Sequence, residues 1–195
     1  MGSLKKDDKT LRLSKEKARL KVGQALRAQS QDELKRQSRL IQKKLEDLAA
    51  YRKARVLMFY WALPGEVETE DLIRKAKEEK KIVTLPVVID KGTMHPYEFI
   101  SSSELVTGTF GVKQPDIRVC RKIENERLDA VIVPGVAFDA SGKRLGRGKG
   151  YYDGFLSKLD PKVLTIGLAF SPQILEDLPF NPLQDRKVDL VIQAQ

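Results

Sequence analysis

Short apolar runs rich in β-branched and aromatic residues recur along the chain and predict buried strands. They are VLMFYWAL (56–63), IVTLPVVI (82–89), LDAVIVPG (128–135), VLTIGLAF (163–170) and KVDLVIQA (187–194). Pro86 predicts an edge position or a bulge near the end of the second run, because proline cannot donate to a strand ladder. A further run, MHPYEFI (94–100), predicts an antiparallel strand, and residues 101–115 are predicted to form a loop.

Amphipathic stretches with helical spacing precede and separate these runs. Ser14 is predicted to precede a first helix, and Ser30 with Glu33 forms a capping-box pattern that predicts a second. Further helices are predicted from about Thr69, over residues 151–159, and after Ser171-Pro172, over residues 173–178.

Strands that alternate with helices predict an α/β fold, a single three-layer α/β/α domain with a largely parallel, mixed central sheet. One catalytic domain is expected over residues 1–195, with residues 1–13 as a flexible basic N-terminal extension. Ligands of open α/β sheets gather at the carboxyl ends of strands. The loops after VLMFYW and DAVIVP are therefore the expected site.

The positive charge of the chain lies in its first part. Residues 1–55 hold 17 Lys and Arg against 7 Asp and Glu, whereas the whole chain holds 36 against 27. Such a segment is typical either of a solvated face or of a face that attracts polyanions. No interleaving of aromatic and basic residues indicates a nucleic-acid partner.

Other residues exclude several classes of protein. The single cysteine, Cys120, excludes an internal disulfide, and neither it nor His95 has partners that indicate catalysis. No run reaches the roughly 18 apolar residues of a membrane span. The first residues carry charge and no apolar stretch, so they do not form a signal peptide. We therefore expect a cytoplasmic monomer without a membrane or nucleic-acid partner.

The segment GKRLGRGKGYYDGFL (142–156) has the chemistry of an anion cradle. It matches neither the P-loop pattern nor the dinucleotide pattern, because its glycines are spaced G-x-G-x-G. Alternating glycines nevertheless let backbone N–H groups converge before a helix that starts near Tyr151. Arg147 and Lys149 add cations suited to phosphate. The alternative is a flexible turn in which Asp153 only complements the helix dipole or pairs with Arg147. Asp139 is expected to hold the loop through local hydrogen bonds.

Residues 133–156, VPGVAFDASGKRLGRGKGYYDGFL, resemble the signature of 5-formyltetrahydrofolate cyclo-ligases, also called methenyltetrahydrofolate synthetases. Three more segments are similar to blocks of that family in the same order along the chain. They are SKEKARL (14–20), PGEVETEDLI (64–73) and RKVDLVI (186–192).

The resemblance implies that ATP and Mg²⁺ are used to convert 5-formyltetrahydrofolate to 5,10-methenyltetrahydrofolate, with release of ADP and phosphate. It implies catalytic roles for Arg147 and Lys149 and metal ligation by Asp153 and Asp189. The implied ATP contacts are Lys15, Arg19, Arg144, Leu145, Gly146, Arg147, Gly148, Lys149, Gly150, Tyr151 and Tyr152. The implied folate contacts are Trp61, Glu66, Arg147, Gly148, Lys149, Gly150 and Tyr151.

Two other functions stay open at the level of the residues. The basic first 55 residues would suit a polyanion-binding or nucleic-acid-binding module, whose affinity would fall steeply with salt. The glycine-rich loop would also suit an ATP-dependent enzyme that acts on a different small molecule. The order of the four blocks favours the cyclo-ligase.

Overall fold

The computed structural model of the protein describes residues 2–90 and 92–194. In these ranges the helices are α1 (Gly2–Arg27), α2 (Gln31–Asp47), α3 (Ala49–Lys53), α4 (Glu70–Glu78) and α5 (Tyr151–Leu156). The strands are β1 (Val56–Met58), β2 (Ile82–Asp90), β3 (Thr93–Glu98), β4 (Leu105–Thr107), β5 (Lys113–Pro115), β6 (Ala130–Val133), β7 (Ala137–Phe138), β8 (Arg144–Leu145), β9 (Leu164–Ala169) and β10 (Leu190–Gln193).

The central sheet has the strand order β10-β9-β6-β1-β2-β3. Strands β1, β2, β6, β9 and β10 pair in parallel, and only β3 runs antiparallel, against β2. This confirms the predicted α/β fold with a largely parallel, mixed sheet. From β1 the chain builds one side of the sheet through β2 and β3, and from β6 it builds the other through β9 and β10.

Helices cover both faces of the sheet. Because alternate residues of a strand point to opposite faces, neighbouring residues of one strand are buried in different cores. Leu57 of β1 belongs to the core that includes Ile41 of α2 and Leu72 of α4. Its neighbour Met58 belongs to the other core, with Phe155 of α5. The continuous apolar runs seen in the sequence follow from this two-sided burial.

Helix α1 begins earlier than the sequence predicts. The backbone is helical from Gly2, and the hydroxyl of Ser14 donates to the carbonyl of Thr10 (3.0 Å) inside the helix rather than capping it. The predicted start at Ser14 is therefore wrong. Residues 2–13 of the expected flexible extension continue the helix, and residue 1 lies outside the described residues. Val22 packs this helix against a small third core.

Helix α2 is capped as predicted, with Ser30 Oγ accepting from the backbone N–H of Glu33 at 3.1 Å.

The predicted helix over residues 173–178 does not form; a 3₁₀ turn covers Ser171–Gln173 only. The buried side chain of Gln173 accepts from the N–H of Phe170 (2.8 Å) and donates to the carbonyl of Gly135 (2.9 Å). The bond to Gly135 fixes the turn against the loop after β6. Beyond the turn, Ile174 pairs with Phe138 of β7 and the N–H of Leu175 donates to the carbonyl of Phe138 (2.9 Å), so the backbone there is extended and not helical.

Two further differences concern the side of the sheet next to β3. The predicted loop 101–115 contains the β4–β5 hairpin. Pro86 lies inside β2 opposite Pro96, beyond Thr84, the last residue of β2 in register with β1. Its missing N–H therefore interrupts no bond to β1, and the register shift lies further on, between Val88 and Asp90.

No helix in residues 2–90 and 92–194 combines the length and the apolar character needed to cross a membrane.

Gly142 lies in the turn of the β7–β8 hairpin, and its carbonyl accepts from the N–H of Val188 in the segment before β10. We predict that Gly142→Ala lowers the free energy of unfolding by about 3 kcal/mol. Its φ is 80°, and a Cβ would press on the carbonyl oxygen of Val188. Gly111→Ala is the matched control, since its φ is 72° but a Cβ there would meet nothing within 4 Å. Urea unfolding of both variants measures the free energy of unfolding, and the control should lose only about 1 kcal/mol of it. Equal losses would contradict the clash with Val188.

Candidate active site

A cleft of about 930 Å³ opens at the carboxyl ends of β1 and β6. Tyr60 and Trp61 follow β1, Pro134 and Gly135 follow β6, and all four line the cleft. Because the chain leaves these neighbouring strands toward opposite sides of the sheet, a crevice forms between their loops. The cleft lies where the sequence places the site.

The glycine-rich loop, residues 146–150, lines the cleft between β8 and α5. Gly148 and Gly150 have φ of 90° and 73°, a backbone conformation that glycine adopts without strain. Gly146 is needed for another reason, since a Cβ there would lie 2.7 Å from Nη1 of Arg144. Helix α5 starts at Tyr151, as predicted. Each glycine of the G-x-G-x-G pattern thus has a steric cause.

Asp139 holds the turn that leads into this loop. Its side chain is buried, and Oδ1 accepts from the N–H groups of Ser141 (2.9 Å) and Lys143 (3.0 Å) and from the Ser141 hydroxyl (2.8 Å). This confirms the expected scaffolding role of Asp139.

Arg144 and Asp153 form a buried ion pair across the loop. Nη2 of Arg144 donates to Oδ1 of Asp153 at 2.8 Å, and the side chains are 3% and 20% exposed. The backbone N–H of Arg186 donates to the same oxygen (3.1 Å). The guanidinium also lies 5.6 Å from the ring centroid of Tyr152. The resemblance implies that Arg144 contacts an ATP phosphate, whereas in this structure its guanidinium contacts Asp153.

Helix α1 brings both of its implied cations to the cleft. Nε of Arg19 donates to the carbonyl of Gly146 at 2.9 Å. Burial lowers the pKa of Arg19, and the carboxylates of Glu16 and Asp185 oppose that shift. Nζ of Lys15 lies 2.7 and 2.6 Å from the two carboxylate oxygens of Asp185. The glycine-rich loop, α1 and the segment before β10 therefore meet at one end of the cleft.

Arg147 forms an ion pair that the sequence does not predict. Its Nε and Nη2 donate to Oε1 of Glu66 at 3.2 and 3.0 Å. The other oxygen of Glu66 accepts from the N–H of Leu63 at 3.0 Å. The Arg147 side chain is 53% exposed and that of Glu66 is 10% exposed. A residue implied to contact ATP is thus bonded to one implied to contact the folate.

Aromatic side chains line the cleft next to this pair. Trp61 packs on Phe99 with ring centroids 6.1 Å apart, and Tyr151 and Tyr152 lie on the α5 side. The Tyr152 hydroxyl is buried and has no hydrogen-bond partner among the described residues. Burial raises the pKa of this phenol above its ordinary value, so it stays protonated near neutral pH. It is a hydrogen-bond donor held at the cleft.

A sequence model of the 5-formyltetrahydrofolate cyclo-ligase family matches residues 7–194. The chain belongs to this family. The 5-formyltetrahydrofolate cyclo-ligase of Mus musculus is 32% identical over 94% of the chain and 95% of its own length. The NMR structure of 5,10-methenyltetrahydrofolate synthetase from Aquifex aeolicus superposes with a TM-score of 0.81, at 32% identity over 93% of this chain and 90% of that one. A synthetase structure from Mycoplasma pneumoniae, 23% identical, shares the fold with a TM-score of 0.75 over 93% and 99% of the two chains.

These relatives confirm the family that the four sequence blocks predict. Among the cyclo-ligase residues named from that resemblance, those of α1, of the glycine-rich loop and of the loop after β1 all line the cleft. They come from segments more than 40 residues apart in the chain, namely 15–19, 61–66 and 144–153. Asp189 is the exception.

Asp189 does not line the cleft. It lies at the amino end of the edge strand β10, whereas the cleft opens at carboxyl ends. Its Oδ2 accepts from the N–H (2.8 Å) and the hydroxyl (2.7 Å) of Thr165, which ties β10 to β9. The structure therefore gives Asp189 a place in the sheet and does not bring it to Asp153.

Asp185, which the sequence interpretation missed, lines the cleft instead. It is close to Asp153, because the next residue, Arg186, donates its N–H to that carboxylate. The described residues contain no group of three or more His, Cys, Asp or Glu side chains arranged to hold a metal. Mg²⁺ does not need one, since one or two carboxylates with phosphate oxygens and waters suffice.

The far wall of the cleft was also missed. Thr109, Val112 and Gln114 of the β4–β5 hairpin line it, with Met94 of β3. Cys120 is outside the cleft, and burial raises the pKa of its thiol.

We predict that Arg144→Met lowers the free energy of unfolding by about 3 kcal/mol, because it leaves the Asp153 carboxylate poorly solvated without its cation. Arg74→Met is the control. Arg74 and its two partners, Asp71 and Glu78, are all more than half exposed, so the loss should stay below about 1 kcal/mol. Denaturant unfolding of both variants measures the difference, and a similar loss in the two would contradict the structural role of Arg144.

Proposed function

We propose that the protein catalyses the ATP-dependent cyclisation of 5-formyltetrahydrofolate to 5,10-methenyltetrahydrofolate, with release of ADP and phosphate. The observation that carries the proposal is the meeting of the glycine-rich loop, the α1 cations and the Glu66 loop in one cleft of about 930 Å³. Membership of the cyclo-ligase family supports the reaction. The cleft volume suits two small-molecule substrates held side by side.

The chemistry explains the use of ATP. The formyl oxygen on N5 is amide-like and a poor leaving group. Transfer of the γ-phosphoryl group to this oxygen forms an O–P bond and releases ADP. N10 then attacks the formyl carbon and loses its proton, and the C–O bond breaks as phosphate leaves. The protein therefore has to position two substrates and stabilise negative charge during the transfer.

The phosphate end of the cleft is formed by the glycine-rich loop and α1. Arg147 and Lys149 are the catalytic residues we propose, because both lie on the loop and would neutralise charge on the transferring phosphoryl group. N–H groups of residues 146–150 and the α1 cations Lys15 and Arg19 would bind the remaining phosphate oxygens. Arg144, Leu145, Tyr151 and Tyr152 would complete the ATP site.

The carboxylates at this end fit a magnesium ion. Oδ1 of Asp153 accepts from the side chain of Arg144 and from the N–H of Arg186. The carboxylate of Asp185 already binds one cation, the ammonium of Lys15. Hard oxygen ligands of this kind suit Mg²⁺. We propose that Asp153 and Asp185 hold it, directly or through water. When bound, Mg²⁺ supplies charge neutralisation for the phosphate oxygens.

The folate end is formed by Glu66, Trp61 and Tyr151. The Glu66 carboxylate would accept from ring N–H groups of the pterin, and the two aromatic rings would flank it. The loop residues Arg147, Gly148, Lys149 and Gly150 would contact both substrates, which brings the formyl oxygen beside the γ-phosphoryl group. The cytoplasmic location and the monomeric state stay predictions.

The proposal predicts that the protein, mixed with ATP, Mg²⁺ and 5-formyltetrahydrofolate, forms the methenyl product, whose absorbance can be followed directly. Omitting ATP should abolish the signal, because the formyl oxygen is then never made a leaving group. No absorbance rise at high protein concentration would refute the proposed reaction.

We predict that Asp185→Asn raises the Mg²⁺ concentration needed for half-maximal turnover at least tenfold. Loss of a residue that merely orients a metal ligand already costs about 10- to 100-fold in metal affinity. Asp189→Asn makes the same chemical change at the sheet edge and should leave the Mg²⁺ requirement unchanged. A magnesium titration of initial rates compares the two, and an equal shift in both would remove Asp185 from the metal site.

A further inference from the structure

Arg147, to which the proposed function gives a catalytic role at the phosphates of ATP, is bonded to Glu66, which it assigns to the folate. The guanidinium of Arg147 donates twice to Oε1 of Glu66. Neither side chain can serve its substrate fully while this ion pair is intact. In this arrangement the pair spans the cleft from the glycine-rich loop to the loop after β1.

We propose that the Arg147–Glu66 ion pair is an exchange contact that couples the binding of the two substrates. ATP takes the guanidinium of Arg147, and this frees the carboxylate of Glu66 for the ring N–H groups of the folate. The inference rests on the proposed function and adds a prediction of cooperative binding to it.

The sign of the coupling follows from the shared bond. Whichever substrate binds first has to break the pair, and the second finds its residue already free. Each substrate must therefore tighten the binding of the other by the same factor. The guanidinium is 53% exposed, so the pair is of the kind whose loss changes binding constants by about two- to fivefold.

The local structure indicates which partner moves. Glu66 is 10% exposed, and its Oε2 is fixed by the N–H of Leu63 at 3.0 Å. Arg147 lies between Gly146 and Gly148, and the left-handed φ of Gly148 (90°) is available to glycine at no steric cost. Arg147 is therefore the residue that changes partner, and Glu66 stays in place to receive the folate.

The first test is calorimetric titration of the full-length protein with the β,γ-imido analogue of ATP and Mg²⁺, without folate. Glu66→Gln keeps an oxygen to accept from Leu63 N–H but removes the charge that holds Arg147. It should bind the analogue about two- to fivefold tighter than the wild type. Asp177→Asn is the control, because this exposed carboxylate pairs with Lys143 outside the cleft, and its affinity should equal that of the wild type.

The second test is titration with 5-formyltetrahydrofolate, with and without the same analogue. The analogue should tighten folate binding to the wild type about two- to fivefold. Arg147→Met lacks the pair, so in this variant the analogue should not change the affinity for folate. Thermal unfolding checks that both variants are folded.

The possible failures are distinguishable. If the wild type binds both ligands but without coupling, and Glu66→Gln binds the analogue no tighter, the exchange contact is refuted while the proposed function stands. Weaker analogue binding by Glu66→Gln would also refute it, because the carboxylate would then assist the nucleotide. If the wild type binds neither ligand, the exchange contact and the proposed function both fail.

Discussion

The buried ion pair between Arg144 and Asp153 is the contact on which the geometry of the cleft depends. It joins β8 to α5 across the glycine-rich loop, and the N–H of Arg186 adds the segment before β10 to the same carboxylate. A charge this poorly solvated is tolerated only when its partner is in place. Both ends of the loop are thereby fixed before any ligand binds, and the cations between them are left to face the cleft.

Cations and carboxylates of the cleft neutralise one another. Each cation that we assign to ATP from outside the buried pair and whose partner is known here contacts a carboxylate or a carbonyl: Lys15 contacts Asp185, Arg147 contacts Glu66, and Arg19 contacts Gly146. In the proposed function, magnesium-bound ATP would bring anionic oxygens for the cations and a cation for the carboxylates. Its binding would then exchange the partners of these charges and leave none of them buried without a partner.

Local patterns predicted the strands, the Ser30 cap and the start of α5, because apolar runs and capping residues act over a few neighbours. The misses have tertiary causes. The helix expected after Ser171 is replaced by the pairing of Ile174 with Phe138 of β7. The segment before β10 places Asp185 at the cleft and Asp189 against Thr165 of β9. The β4–β5 hairpin gives only a weak signal in the sequence, because β5 (Lys113–Pro115) contains no β-branched residue and ends in proline. The Arg147–Glu66 contact joins residues 81 apart, and no spacing rule reaches that far.

The central claim is that residues 146–150 bind the phosphates of ATP while the Arg144–Asp153 pair keeps its place. Backbone amide NMR shifts measured with and without ATP and Mg²⁺ test this most directly. The account predicts that the largest shifts fall on residues 146–150 and on the α1 residues Lys15 and Arg19, with small shifts in β9 and β10. Largest shifts on the outer basic residues of α1 or α2, with residues 146–150 unchanged, would contradict it.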